Sequence, residues 1–208
     1  MSKKLFGLLL ILCASLSAGP IVQMHYQGRL VADASTDRGD TVGSFFIFDV
    51  NGVQMLTLCD QFNPEITTEP YKAMVATLDD LTGTFLQLSG DPQALQKYQQ
   101  VGILALQAFL NPAVAPDVVW AQRYIVEGTG RLTDGARNLL DWVQTQDAVN
   151  YPQLQQFVIF APVKLPGFIL DTQEQVGFIP EPATVALMGG GLVGMMLFRR
   201  VRAKARQN

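Results

Sequence analysis

Residue types that commonly do chemistry are sparse in this chain of 208 residues. It has two cysteines, Cys13 and Cys59, and a single histidine, His25. A zinc site usually combines several histidine or cysteine ligands at short spacing, and no other histidine or cysteine stands near His25 in the sequence. We therefore expect His25 on the surface. The adjacent acids Asp79 and Asp80 are expected to be solvated. Because nucleophile-elbow, phosphate-loop and calcium-loop patterns are also absent from the sequence, we expect no catalytic residue, no metal and no cofactor.

The first residues have the three parts of an export signal. Lys3 and Lys4 provide the positive start, an apolar run too short for a comfortable bilayer span comes after them, and small residues complete the pattern. We therefore expect residues 1–18 to be a signal peptide that enters the export translocon and is removed by signal peptidase after Ser17 or Ala18. A cysteine in the apolar run suggests a lipoprotein leader as an alternative, but a leucine stands where that processing needs a small residue. An uncleaved anchor helix is the other alternative.

The last residues carry a second pattern of three parts in a set order. They are the residues Pro180, Glu181 and Pro182, an apolar run over 183–198, and the basic flank Arg199, Arg200 and Arg202. At about 1.5 Å per residue, a helix over the apolar run spans roughly 24 Å, slightly less than the usual hydrocarbon thickness. The arginines are expected on the cytoplasmic side of the membrane. This pattern predicts a marginal transmembrane helix.

The same order of Pro-Glu-Pro, apolar helix and arginine cluster resembles the PEP-CTERM sorting tail. The resemblance implies that an exosortase, a membrane cysteine protease, recognises residues 180–182 and cuts near them. The precursor would then cross the inner membrane transiently, and the mature protein would reach the cell surface or the extracellular polymeric substance of a Gram-negative bacterium. An ordinary C-terminal membrane anchor is the alternative.

The segment between these two ends is acidic. Residues 19–179 contain eight Lys or Arg against seventeen Asp or Glu, a net charge of −9. A domain with this balance repels phosphate backbones, so we expect no nucleic-acid partner.

The middle of the chain predicts strands first, then helices, then one more strand. Residues 21–31 form an opening strand, and Asn51 with Gly52 between two β-favouring runs predicts a hairpin. Three helices come next: one between Asp91 and Asn111, one over 117–127, and one that starts at Thr133 as N-cap. The first helix places its apolar side chains on one face, with Leu95, Tyr98, Val101, Gly102, Ala105, Leu106 and Phe109. Residues 157–160 form the closing strand, whereas residues 71–78 fit a strand or a helix.

These elements predict an α+β domain, an antiparallel sheet with a three-helix segment packed on it, followed by a linker and a single C-terminal transmembrane helix. The expected divisions are the signal peptide at 1–18, the extracytoplasmic domain at 19–162, the linker at 163–179, and the sorting tail at 180–208 with its helix at 183–198.

Three stretches of the middle domain resemble the Cys-Gln thioester domains of bacterial surface adhesins. They are the hairpin that leads to Cys59 and Asp60, the helix segment Trp120-Ala121-Gln122-Arg123-Tyr124-Ile125, and the late segment Leu154-Gln155-Gln156-Phe157-Val158. The resemblance implies that Cys59 bonds to Gln155 or Gln156, with Gln122 helping to hold the site. It would also account for a single cysteine in an oxidising compartment once the signal peptide is gone. Alternatively, Cys59 is a small buried hydrophobic residue at the end of a strand.

The sequence therefore favours a non-enzymatic, exported cell-surface or matrix protein that binds exopolysaccharide or surface proteins. A thioester-forming adhesin that uses Cys59 is the first alternative. The second is a secreted hydrolase whose carboxylates are brought together only by the fold.

Overall fold

The computed structural model describes residues 21–30, 34–35, 41–42, 45–60, 67–128, 132–163 and 172–179. The chain divides into two units, residues 1–178 and 179–208, and all of the described strands and helices belong to the first. The expected signal peptide, Pro-Glu-Pro motif, transmembrane helix and basic flank lie outside the described residues. Within those residues, no helix combines the length and the apolar character needed to span a bilayer.

The described part of the chain holds eight strands and four α-helices. The strands are β1 (Ile21–Arg29), β2 (Ala34–Ser35), β3 (Thr41–Val42), β4 (Phe46–Val50), β5 (Val53–Cys59), β6 (Tyr71–Ala76), β7 (Phe157–Pro162) and β8 (Gln175–Phe178). The α-helices are α1 (Phe85–Leu88), α2 (Ala94–Leu110), α3 (Ala115–Glu127) and α4 (Asp134–Val143). Short 3₁₀ helices cover Pro112–Val114, Ala148–Asn150 and Pro152–Gln156. The ambiguous segment 71–78 is therefore a strand at its start.

The sheet is closed. Its strands lie in the order β1-β4-β5-β8-β7-β6, every neighbouring pair is antiparallel, and β1 pairs with both β4 and β6. β2 and β3 form a separate two-stranded sheet. The expected α+β composition and antiparallel pairing are confirmed, but the sheet is a six-stranded barrel. Closure gives each of these strands two hydrogen-bonded neighbours and so leaves no open sheet edge.

The predicted hairpin joins β4 to β5. Asn51 has a φ of 51° and Gly52 a φ of 86°, the two positive values that a tight turn of this kind needs. The Asp49 carboxylate accepts a hydrogen bond from the Gly52 amide at 2.7 Å. The Asn51 side chain accepts another at 2.8 Å from the amide of Gln23 in β1, so the turn also ties the hairpin to the neighbouring strand.

Side chains alternate between the inside of the barrel and its outer face. The register pairs Phe46 with Thr57, and side chains of paired residues point the same way, so Thr57 and Cys59 face inward. The interior is packed with buried apolar residues, including Val22, Met24, Phe48, Val50, Ala73, Val75, Val158 and Phe160. The other face of β5, β7 and β8 presents Leu58, Phe157, Ile159 and Val176, which join the core beneath the helices. Strands β5, β7 and β8 thus contribute side chains to two cores, one inside the barrel and one beneath the helices.

The three longer helices match the predicted ones within a few residues. Thr133 caps α4 by accepting a hydrogen bond from the Ala136 amide at 3.0 Å, and Gly128 ends α3 with a φ of 69°. The face predicted for α2 is partly wrong, because Leu95 is 47% exposed whereas Ile103 and Leu104 are buried. α2 contacts α3, α4, β8 and the 3₁₀ helix Pro152–Gln156, so it is covered on more than one side and a single stripe does not describe its burial.

The expected linker at 163–179 contains a barrel strand. β8 pairs with β5 on one side and β7 on the other, and Gln175 and Val176 are fully buried. The domain therefore does not end at residue 162, and β7 is not its last strand. β8 has only four residues and begins with a glutamine, so its alternation of apolar and polar residues is too short to predict a strand from the sequence.

Candidate functional site

Cys59 ends β5 with its side chain inside the barrel and only 4% of its surface exposed. Its Sγ lies 2.8 Å from Oε1 of Gln173, which is 8% exposed. That distance is typical of a hydrogen bond between two oxygens, about 2.7–2.8 Å, and sulfur is a larger atom. The thiol and the carboxamide are therefore in tight contact in a site with little access for water.

The strand register explains why this glutamine reaches Cys59. Cys59 pairs with Gln175. Gln173 lies two residues before Gln175 in the chain, and its side chain therefore points to the same face of the sheet at a diagonal position from Cys59. The same offset recurs two rungs earlier, where Thr57 pairs with Gly177 and its hydroxyl donates to Oε1 of Gln175 at 3.0 Å. Diagonal neighbours across an antiparallel pair are within reach of long side chains. Two successive polar contacts thus hold β5 and β8 together inside the barrel.

Neither Gln155 nor Gln156, the partners that the sequence suggested, occupies this position. They end the 3₁₀ helix that leads into Phe157, and Phe157 pairs with Phe178. Cys59 lies at the opposite end of β8, and at about 3.4 Å per residue the three residues between those rungs span roughly 10 Å. The glutamine in contact with the Cys59 sulfur is therefore Gln173, and the expected bond to Gln155 or Gln156 stays a prediction.

Gln122 is buried in α3, but its hydrogen bond leads elsewhere. Its Nε2 donates to the carbonyl of Val101 in α2 at 2.9 Å, and among the described residues its Oε1 has no donor. This contact ties α3 to α2 in the helical layer and does not involve Cys59 or Gln173. The role expected for Gln122 at the site stays a prediction.

A second polar cluster lies behind the Cys59–Gln173 contact, on the outer face of the same strands. Glu174 is 1% exposed; its Oε1 accepts from the Tyr98 hydroxyl at 2.5 Å and its Oε2 from the Phe85 amide at 3.0 Å. Asp60 is 0% exposed and neither of its oxygens receives a donor from the described residues. Burial, and then the charge of Glu174, hold the pKa of Asp60 well above its usual value.

The pKa of Glu174 is set by opposing effects. Burial is the largest of them and holds the pKa of Glu174 above its usual value, although the hydrogen bonds from Tyr98, from the Phe85 amide and from Asp60 lower it. Burial also raises the pKa of Tyr98, with the charges of Glu174 and Asp60 adding to the effect. Of the two carboxyl groups, Asp60 is therefore the one that binds a proton more readily.

Tyr71 brings another buried hydroxyl to the barrel interior. Its side chain faces inward from the start of β6, and no described residue hydrogen-bonds to its hydroxyl. Burial raises the pKa of Tyr71 above its usual value, and the charge of a Cys59 thiolate raises it further. A deprotonated Tyr71 is thus disfavoured beside the cysteine.

The remaining candidate residues are on the surface. His25 is exposed, as expected, with the Gln27 amide nitrogen 3.1 Å from its Nδ1. Asp79 and Asp80 are exposed as well. No cluster of three or more His, Cys, Asp or Glu side chains suited to a metal ion occurs among the residues that the structure describes.

Sequence reasoning missed Gln173, Glu174 and Gln175. The segment does carry a signal, because polar Gln173 and Gln175 alternate with Glu174 and Val176 in the period of a strand. An alternation in which both faces are partly polar is typical of a solvated segment, and only the barrel shows that both faces are buried.

No curated protein and no solved structure matches the chain. Residues 178–202 match the family described as the PEP-CTERM protein-sorting motif. The match begins at the last residue of β8 and includes the Pro-Glu-Pro residues, the apolar run and the basic flank. The chain therefore carries a PEP-CTERM sorting motif directly after its barrel domain.

Proposed function

We propose that this chain is an exported surface protein whose barrel domain forms an internal thioester between Cys59 and Gln173 and uses it to attach covalently to an amine-bearing partner. The sorting motif supports delivery to the cell surface through an exosortase. The observation that carries the thioester is the 2.8 Å contact between the Cys59 sulfur and the Gln173 carboxamide oxygen. The protein makes one bond and does not turn over, so it acts as an adhesin and not as an enzyme.

The chemistry balances without an oxidant or a cofactor. The Cys59 sulfur attacks Cδ of Gln173, a sulfur–carbon bond forms, the carbon–nitrogen bond breaks, and the thiol proton leaves with the amide nitrogen as ammonia. In the second step an external amine attacks the same carbon. A new amide bond then joins Gln173 to the partner, and the Cys59 thiol is restored.

Burial explains how such a bond survives in water. The sulfur and the carboxamide lie inside a packed barrel, where hydrolysis is slow because water has little access. The same position requires that an attacking amine reach the end of β5. This fits a small primary amine such as a lysine side chain better than a bulky nucleophile.

Intact mass of the mature protein tests the proposal. We expect the wild-type protein to be lighter by one ammonia than its sequence, and the variants Cys59→Ser and Gln173→Ala to have full mass. Methylamine should add its own mass to the wild-type protein and release one titratable thiol. Gln155→Ala is the matched control, since this exposed glutamine lies away from Cys59, and it should keep the ammonia loss.

A native wild-type protein of full mass, with a Cys59 thiol that titrates, would remove the thioester. An exported surface protein that binds glycans or proteins without a covalent bond would then remain. The Asp60–Glu174 pair gives no support to a hydrolase, because both carboxyl groups are buried and not exposed to a substrate.

A further inference from the structure

Asp60 and Glu174 face each other across β5 and β8, directly behind the reactive pair. The register Leu58 with Val176 and Cys59 with Gln175 places Asp60 opposite Glu174 on the next rung. Side chains alternate along each strand, so the two carboxyl groups lie on the helical side while Cys59 and Gln173 lie inside the barrel. The two pairs therefore share the same stretch of backbone.

Three helices contribute to the environment of the carboxyl pair. α2 supplies the Tyr98 hydroxyl, and α1 supplies the Phe85 amide, both bonded to Glu174. The Leu86 amide in turn donates to the Tyr98 oxygen at 3.3 Å. The charge of Glu127, at the end of α3, adds weakly to the repulsion at Asp60, and Glu127 itself is bonded to Arg123 at 3.0 Å. The thiol of Cys59 and the phenol of Tyr71 lie on the barrel side of the strands.

Two buried carboxyl groups in hydrogen-bonding contact do not both carry a charge at neutral pH, because repulsion and lost solvation raise the pKa of one of them. The strand register places Asp60 and Glu174 opposite each other, each raises or lowers the pKa of the other, and a hydrogen bond between two carboxyl groups requires one proton between them. The donors from Tyr98 and Phe85 stabilise the charge on Glu174. The proton therefore belongs to Asp60, whose oxygens receive no donor from the described residues.

We propose that Asp60 and Glu174 are positioning residues that share one proton, and that their hydrogen bond holds the ends of β5 and β8 in the register that presses Gln173 against Cys59. This role of the carboxyl pair rests on the proposed thioester, because the rate of thioester closure is the quantity that measures it. The pair does not touch the reacting atoms, since it lies on the opposite face of both strands.

The pH dependence comes from the raised pKa of Asp60. Between the ordinary value of 3.8 and the raised value, the folded protein binds more protons than the unfolded chain, so stability falls as pH rises through that window. Once Asp60 ionises, two buried charges repel each other across the strand ends. The contact between Cys59 and Gln173 then loosens, and closure of the thioester slows.

The rate of thioester closure in the mature wild-type protein tests the pair. Concentrated ammonia opens the thioester and restores the Gln173 carboxamide, and after ammonia is removed at a chosen pH the return of the lighter mass gives the closure rate. Above the pKa of Asp60 the wild-type rate should fall relative to that of Asp60→Asn by roughly tenfold per pH unit, and the ionisation of the attacking thiol, common to both proteins, cancels in this ratio. Asp60→Asn donates the same hydrogen bond without a titrating proton, so it is the reference for this ratio. Asp79→Asn, the same change at an exposed acid, should keep the wild-type profile.

The outcomes separate the two proposals. If the ratio of the wild-type rate to the Asp60→Asn rate does not change with pH, the positioning pair is wrong while the thioester stands. If neither the wild-type protein nor any variant loses ammonia at any pH, the thioester proposal is wrong. Urea unfolding then tests the shared proton of Asp60 and Glu174 independently of the thioester. The stability of Asp60→Asn relative to wild type should then increase as pH rises, and a constant difference would overturn the shared proton.

Discussion

The partner of Cys59 depends on one rung of strand pairing. A glutamine side chain reaches a diagonal neighbour on the adjacent strand, so pairing of Cys59 with Gln175 makes Gln173 the residue in contact. A shift of one residue would point Gln173 to the helical face and place Glu174 beside the sulfur. The carbon of a carboxylate resists attack by a thiol, so the register itself decides whether the proposed thioester can form.

Tyr98 stabilises the negative charge of the buried Glu174 carboxylate through the hydrogen bond from its hydroxyl. Tyr98→Phe removes only that oxygen, which leaves the buried Glu174 carboxylate without its 2.5 Å donor and the Leu86 amide without its acceptor. We expect the free energy of unfolding near neutral pH to fall by about 1.5–3 kcal/mol, the range for a hydrogen bond to a charged group. Because that hydrogen bond lowers the pKa of Glu174, the deficit should shrink in acid, where Glu174 is protonated in both proteins.

Urea unfolding at several pH values measures this effect. Tyr124→Phe is the control, because Tyr124 is exposed, so removal of its hydroxyl should change stability little. Equal stability of the two variants across the pH range would contradict the role of Tyr98.

At the scale of elements, β8 decides whether the sheet closes. It lies between β5 and β7, pairs with both, and brings Gln173 to the site through the residues just before it. A barrel without β8 would expose two unpaired strand edges and the apolar residues beneath α2. The segment is short, but two neighbouring strands depend on it.

Two truncations test this dependence. A chain ending at Ile179 keeps β8 and should unfold cooperatively in urea, whereas a chain ending at residue 171 lacks β8 and should lose cooperative unfolding or aggregate. Circular dichroism and light scattering distinguish these results. Cooperative unfolding of the shorter chain with unchanged stability would show that β8 is dispensable.

At the scale of the whole molecule, the sorting motif comes after the barrel with little chain between them. The family match starts at Phe178, which is the last residue of β8, and Pro180 comes two residues later. A cut upstream of Gln175 would remove a barrel strand together with the tail. Sorting and folding are therefore compatible only if the protease cuts beyond Phe178.

Mass spectrometry of the C-terminal peptide of the surface-exposed protein checks this point. We expect the mature C-terminus at Ile179 or beyond, and we expect Glu181→Ala to retain the uncut tail in the membrane fraction. Val185→Leu, a conservative change in the apolar run, should be processed normally. A mature C-terminus before Gln175, or normal processing of Glu181→Ala, would contradict the assignment.

Local signals were sufficient for several elements of the fold. Asn51 and Gly52 adopt positive φ by their own chemistry, and Thr133 and Gly128 mark helix ends through single hydrogen bonds or a single backbone angle. The sorting motif was predictable for the same reason, since its recognition depends on contiguous residues. These features depend on neighbours within a few positions along the chain.

The site itself depended on tertiary structure. The contact that joins Cys59 to Gln173 spans 114 positions, and the contact from Tyr98 to Glu174 spans 76. Which of several glutamines meets the cysteine is decided by strand register and barrel closure, and both result from burying one face of each strand. The sequence by itself thus determined the C-terminal sorting motif, the hairpin, the three longer helices and the candidate cysteine. Only the closed barrel decided the partner of that cysteine and the carboxyl pair behind it, because long-range pairing leaves no local pattern.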